Sequence, residues 1–101
     1  MGTFRYGNMS TGIELDDRAL AHLQAVVATK LRRGEGFFLN WVDDPAVGSE
    51  RHAAWIGPNV PVFFTYSSAA HVDLRREWLE TMTMSANSNG GLMLGEEPPV
   101  A

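Results

Sequence analysis

The sequence predicts a single α+β domain with a mostly antiparallel sheet and two helices on one face, in the order β-β-α-β-β-β-α-β. Three observations lead to this fold class. Two segments have the apolar spacing of amphipathic helices, and six short segments have the composition or alternation of strands. Most connections between strands are of hairpin length. Because such connections join antiparallel neighbours, an antiparallel sheet is favoured over a wound parallel one.

Length and composition limit the class of protein. A chain of 101 residues has room for one core, so we expect a domain at 1–94 and a flexible C-terminal tail at 95–101, GEEPPVA. Cysteine is absent, which excludes disulfides, thiolate nucleophiles and cysteine-based zinc sites. The net charge of −4 argues against general nucleic-acid coating. There is no membrane-spanning run and no signal-peptide pattern, so we expect a cytoplasmic protein.

The first two strands and the first helix have clear local signals. Residues 3–6 and 12–15 alternate in polarity around a turn-rich loop at 7–11, which predicts a hairpin. The helix then begins near Asp16, whose carboxylate can cap free amides, and ends at Gly34, which can adopt the left-handed conformation. Its core-facing stripe consists of Ala19, Leu20, Leu23, Val26, Val27 and Leu31.

The opposite side of this helix divides into two strips. One is small (Ala21, Ala25, Ala28) and one is polar (Arg18, His22, Thr29, Arg33). Alanine is the best helix former, so the small strip can be an ordinary exposed face. It can also allow close approach of another helix, as a dimer seam or beneath the second helix of this chain. The cationic side chains could hold phosphates.

The chain from residue 36 onwards supplies four more strands and the second helix. Residues 36–42 are dense in aromatic and apolar residues and predict a central strand, and strand patterns recur at 51–56, 60–66 and 92–94. From Asp73 the period becomes helical. The core side of that second helix consists of Leu74, Trp78, Leu79, Met82, Ser85 and Ala86.

The strands carry more aromatic side chains than one covered sheet face can hold. Some of Phe38, Phe63, Trp55 or Tyr66 should therefore lie on the other side of the sheet. Such a face is a partner interface, a stacking platform for bases, or part of a strongly curled sheet. We favour a homodimer interface formed by some of six residues. These are Ala21, Ala25, Ala28, Phe38, Trp55 and Phe63.

No motif in the chain identifies a reaction. The histidines are dispersed, and the glycine pairs lack the strand-to-helix context that cradles phosphates. Asp43 and Asp44, with Glu50 and His52, offer ligands for a divalent ion, but aspartate before proline is also ordinary turn chemistry. We therefore predict no catalytic residue, metal or cofactor, and a non-catalytic interaction module.

Several segments resemble a family of short actinobacterial proteins of unknown function, over nearly the whole length of the chain. The matching segments are DDRALAHLQ from Asp16, KLRRGE from Lys30, Trp41 with DDP from Asp43, Pro58 with Pro61, WLE from Trp78, and ANS from Ala86 with Gly91-Leu92. Many members are labelled ATP-dependent DNA ligase. The resemblance implies, as an alternative function, an accessory protein that binds DNA phosphates.

The residues themselves do not support ligase activity. The lysine that such a ligase adenylates lies in a K-x-D-G pattern, whereas Lys30, the only lysine, is followed by Leu31-Arg32-Arg33. The alternative function instead depends on a cationic patch. Its predicted members are Arg18, Lys30, Arg32, Arg33, Arg75 and Arg76.

Overall fold

In the computed structural model, residues 1–8, 12–42 and 50–99 are described, and they form six strands and two helices in the predicted order. The α+β class is confirmed. The elements are β1 (Gly2–Tyr6), β2 (Ile13–Leu15), α1 (Asp17–Arg32), β3 (Phe37–Val42), β4 (Arg51–Ile56), β5 (Val62–Thr65), α2 (Arg76–Ala86) and β6 (Leu92–Met93).

The strands form two three-stranded sheets, where the sequence predicted one. The first sheet has the order β2-β1-β5 and the second β4-β3-β6, and only the β3–β6 pair is parallel. β5 pairs with β1 and not with β4, the strand before it. The connection between β4 and β5 contains Pro58 and Pro61, which have no N–H to donate to a ladder. β5 consequently starts after Pro61 and is shorter than predicted.

Both ends of α1 are as predicted. The Asp16 side chain accepts a hydrogen bond from the Ala19 N–H at 2.7 Å. At the other end Gly34 has a φ of 70°. The Gly34 N–H donates to the Leu31 carbonyl and the Glu35 N–H to the Lys30 carbonyl, both at 3.0 Å, which is the Schellman arrangement. Local sequence therefore defines this helix at both termini.

α2 begins at Arg76, three residues later than the predicted Asp73. Contacts with α1 hold the preceding residues in a non-helical conformation. The Arg18 guanidinium binds the Asp73 carbonyl, and His22 binds the Arg75 N–H. Leu74, predicted on the core side of the helix, is instead 48% exposed.

The core lies between the helices and one face of each sheet. α1 packs against β1 and β2, α2 packs against β3 and β6, and the two helices contact each other. The largest fully buried apolar side chains come from both sheets and α1: Phe4, Leu20, Leu23, Leu39, Ile56, Leu92 and Val27. The two helices thus cover the inner faces of two sheets, and among the described residues Phe38, Trp55 and Phe63 are exposed on the other faces.

No helix in the described ranges combines the length and apolar character needed to span a membrane.

Candidate interaction surface

The outer face of the second sheet carries exposed apolar side chains. Phe38 on β3, Trp55 on β4 and Met93 on β6 are 44%, 56% and 48% exposed. Phe38 and Trp55 are direct cross-strand partners, and their ring centroids lie 5.1 Å apart in an edge-to-face arrangement. Ala53, two residues before Trp55, is also exposed on this face. We call these four residues the outer aromatic face.

Two glycines allow close packing beside this aromatic pair. A Cβ atom on Gly36 would be 2.5 Å from Cζ2 of Trp55, so the indole lies directly over that glycine. A Cβ atom on Gly91 would be 2.6 Å from Cβ of Phe38, because the backbone approaches β3 closely there with a φ of 84°. A groove of about 280 Å³ runs between this end of the sheet and the C-terminus of α2.

Phe63 lies elsewhere. It is 55% exposed, but it is on β5 in the first sheet, opposite Arg5 of β1. Tyr66 is half-buried and its hydroxyl donates to Oε1 of Gln24 at 2.5 Å; burial raises the pKa of this hydroxyl. The expectation that some aromatics lie on an open sheet face is confirmed, but the exposed rings divide between two sheets.

The alanine strip of α1 faces a loop and not α2. Ala21, Ala25 and Ala28 line a groove of about 730 Å³ whose other wall is the segment 66–74. Asp17 anchors the start of that segment, since its carboxylate accepts from the Ser67 N–H at 3.1 Å and from the Ser67 hydroxyl at 2.8 Å. These bonds lower the pKa of Asp17. The prediction that the strip lies beneath the second helix is wrong, and its role as a dimer seam stays a prediction.

His22, which the sequence placed on the exposed polar strip, is completely buried. Its Nδ1 lies 2.7 Å from the Arg18 carbonyl, which can only accept, so Nδ1 carries the hydrogen. Its Nε2 accepts from the Arg75 N–H at 2.8 Å. The ring also packs on Trp78, with centroids 4.3 Å apart. His22 is therefore a neutral structural bridge from α1 to the start of α2.

Lys30, predicted in the cationic patch, is also buried, with 6% of its surface exposed. Its ammonium donates to Oε1 of Glu35 at 3.1 Å and to the side-chain oxygen of Asn87. It thereby joins the end of α1 to the end of α2. A buried ammonium with two partners of this chain is not available to bind phosphate.

Arg18 and Arg75 converge on Glu97, in the segment predicted to be a flexible tail. Arg18 donates from Nε and Nη2 to the two carboxylate oxygens of Glu97, at 2.7 and 3.0 Å, and Arg75 donates to Oε2 at 3.2 Å. These bonds lower the pKa of Glu97 to about 2, with Arg18 the main cause, and Glu97 raises the pKa of Arg18. We call Arg18, Arg75 and Glu97 the tail clamp.

The other predicted phosphate-binding residues do not join this group. Arg32 and Arg33 are exposed at the far end of α1, about 21 Å from Arg18 at 1.5 Å per residue. Arg76 is exposed and its Nε donates to Oε1 of Glu80 at 3.0 Å, one turn along α2. The six cationic residues are thus dispersed, and four of them (Arg18, Lys30, Arg75 and Arg76) bind carboxylates or amides of this chain.

Metal-binding residues are not assembled within the described ranges. Three or more histidine, aspartate or glutamate side chains do not cluster there. Asp43 and Asp44, which the sequence offered as possible ligands of a divalent ion, lie outside the described residues. His52 stacks on Trp41, with centroids 5.3 Å apart and ring planes at 24°.

Sequence reasoning missed three polar residues of these clusters: Glu97, Asn87 and Glu35. Each lies far along the chain from its main partner or in a segment that looked like a loop or tail. The sequence did offer a local indication for one of them, because Glu97 is an acidic residue that directly precedes two prolines in the tail. Which arginine it meets is not encoded locally.

Together these features define a small α+β domain with an exposed aromatic sheet face and ion pairs that join its helices and C-terminal segment. The chain belongs to the DUF7882 family, a domain of unknown function, whose family model matches residues 1–97, from β1 to the clamp residue Glu97. No curated protein and no solved structure matches the chain. The family description gives no activity, so the ligase-related expectation stays a prediction.

Proposed function

We propose that this protein is a non-catalytic interaction module that self-associates through the outer aromatic face. The observation that carries the proposal is the exposed, mutually packed pair Phe38 and Trp55 on an open sheet face. Exposed apolar patches on small domains mark contacts with other proteins more often than any other role. Aromatic side chains that neighbouring residues already hold in place lose little entropy on association.

The exposed area of Phe38 and Trp55 is large enough to contribute to the free energy of association. With about 200 Å² for a free tryptophan and about 180 Å² for phenylalanine, the exposed fractions of 56% and 44% leave about 190 Å² on these two side chains. At about 25 cal/mol per Å², burying that area is worth about 5 kcal/mol per protomer before the costs of association. Two copies related by a two-fold axis would bury the patch on both.

Sedimentation equilibrium tests the proposal directly. The wild-type protein is expected to have twice the chain mass at high micromolar concentration, and Trp55→Glu is expected to be monomeric because a carboxylate cannot be buried there unpaired. Met84→Glu is the matched control, since Met84 is 75% exposed on the outer side of α2. It should leave the mass unchanged.

Two outcomes contradict this assignment. A wild-type monomer at these concentrations removes self-association altogether. A dimer that survives Trp55→Glu but is broken by Ala25→Glu places the contact on the alanine strip of α1 and not on the outer aromatic face.

The alternative function, DNA association through a cationic patch, is best supported by the exposed pair Arg32 and Arg33. Phosphate binding releases counterions, so retardation of duplex DNA should fall steeply with added salt and with Arg32→Ala plus Arg33→Ala. If duplex DNA is not retarded at low salt, this alternative is excluded.

A further inference from the structure

Arg18 and Arg75 of the tail clamp bind a short sequence and not only one charge. The Arg18 guanidinium binds both oxygens of the Glu97 carboxylate. The Arg75 guanidinium binds Oε2 of Glu97, the Pro98 carbonyl and, at 3.2 Å, the Pro99 carbonyl. Proline has no N–H and favours an extended backbone, so its carbonyls are free to accept such bonds. Three consecutive residues, Glu-Pro-Pro, are thus recognised together.

The body of the domain positions both arginines independently of the tail. Arg18 donates to the Asp73 carbonyl at 3.1 Å. The backbone N–H of Arg75 is bound by buried His22, and its guanidinium also donates to Oε2 of Glu77 at 3.2 Å. The cation pair is therefore preorganised, and recognition of a carboxylate by such a fork needs little further ordering.

The tail also closes a small pocket beside the clamp. Residues 94–96 and Pro98 line a cavity of about 130 Å³ together with Leu15, Ala19, Trp78 and Met82. A segment that binds here therefore meets an apolar floor as well as two guanidinium groups. The site thus offers two guanidinium groups to a carboxylate and to proline carbonyls, beside an apolar floor that includes Trp78, and proline-containing peptides dock in grooves with such aromatic lining.

We propose that Arg18 and Arg75 form a peptide-binding site for an acidic residue followed by two prolines, which the C-terminal segment of this chain occupies as an internal competitor. The occupant from outside is a Glu-Pro-Pro segment of another protein. A tethered segment competes at millimolar effective concentration, so binding in trans is weak until the tail is displaced. This inference goes beyond the proposed self-association and uses a different surface.

The test uses full-length variants and a fluorescein-labelled peptide with the sequence of residues 95–101, followed by fluorescence anisotropy at low salt. Glu97→Lys repels both guanidiniums and should displace the tail, so it should bind the peptide at least tenfold more tightly than wild type. Glu50→Lys is the matched control: the charge change is identical, and Glu50 is an exposed residue that belongs neither to the tail clamp nor to the lining of the cavity. It should behave like wild type.

Two further measurements assign the binding to the clamp. Adding Arg18→Gln to Glu97→Lys should abolish the gain, and a peptide with glutamine at the position of Glu97 should bind no variant. If Glu97→Lys does not fold, as judged by circular dichroism, Glu97→Gln serves the same comparison with a smaller expected gain. A variant that folds and binds the peptide no better than wild type overturns the proposal, because the clamp is then only a structural attachment of the tail. Binding that Arg18→Gln does not weaken overturns it as well.

Discussion

Replacing Gly91 by alanine should destabilise this protein much more than the same replacement at Gly90. Gly91 has a φ of 84°, and an added Cβ would lie 2.5 Å from the Phe38 carbonyl oxygen and 2.6 Å from the Phe38 Cβ. Gly90 has no positive φ, and its Cβ would meet nothing within 4 Å. The two substitutions add the same methyl group to adjacent positions, so their difference reports the left-handed backbone of Gly91 together with its close approach to β3.

The expected cost at Gly91 has two parts. The left-handed conformation costs a non-glycine residue about 1 kcal/mol. The overlap is with backbone, which cannot rotate away, so β6 must move from β3 at a further cost of about 1–3 kcal/mol. For a domain of this size, a total of about 2–4 kcal/mol corresponds to a fall in Tm of roughly 10–30 °C. Gly90→Ala should change the free energy of unfolding by less than about 0.5 kcal/mol.

Thermal unfolding followed by circular dichroism measures both variants under identical conditions. If Gly91→Ala melts within 3 °C of Gly90→Ala, the free energies of unfolding of the two variants differ by less than about 1 kcal/mol, at about 4–8 °C per kcal/mol. The close approach of β6 to β3 is then wrong. A large difference supports that close approach.

The remaining predictions concern the two polar clusters that join α1 to later parts of the chain. His22→Leu leaves the part-buried Arg75 N–H without its acceptor, the buried His22 ring. It should lower the free energy of unfolding by about 1–3 kcal/mol in a urea titration, and an unchanged midpoint would mean that this bridge contributes nothing. Acid should weaken the tail clamp, because the folded-state pKa of Glu97 is about 2 against an ordinary value of 4.5. Its stabilisation is complete above pH 4.5 and is lost as the pH falls towards 2. The difference in Tm between wild type and Glu97→Gln should therefore shrink over this range, and a constant difference would refute the assignment.

The elements that the sequence predicted well are those with local signals. The β1–β2 hairpin follows from alternation around a turn-rich loop, and α1 from an apolar stripe with Asp16 and Gly34 at its ends. The central position of β3 followed from its density of aromatic and apolar side chains. Each of these signals lies within a few residues of the structure it specifies, so no knowledge of distant contacts was needed.

The candidate surfaces were only partly predictable, because they depend on contacts between residues that lie far apart in the chain. Exposed aromatics followed from counting rings against the area that two helices can cover. Their division between two sheets depends on β5 pairing with β1, a partner more than fifty residues away. Likewise, periodicity placed His22 on the polar side of α1, and only the approach of Arg75 and Trp78 buries it.

The amino-acid sequence by itself determined the class of fold, the order of its elements and the absence of cysteine chemistry, because composition, periodicity and capping are properties of single residues or of a few neighbouring ones. The tertiary structure decided which cations remain exposed, where the C-terminal segment attaches and which aromatic rings lie side by side. These depend on contacts such as that of Arg18 with Glu97, 79 positions apart, whose partners are selected by the packing of the whole domain.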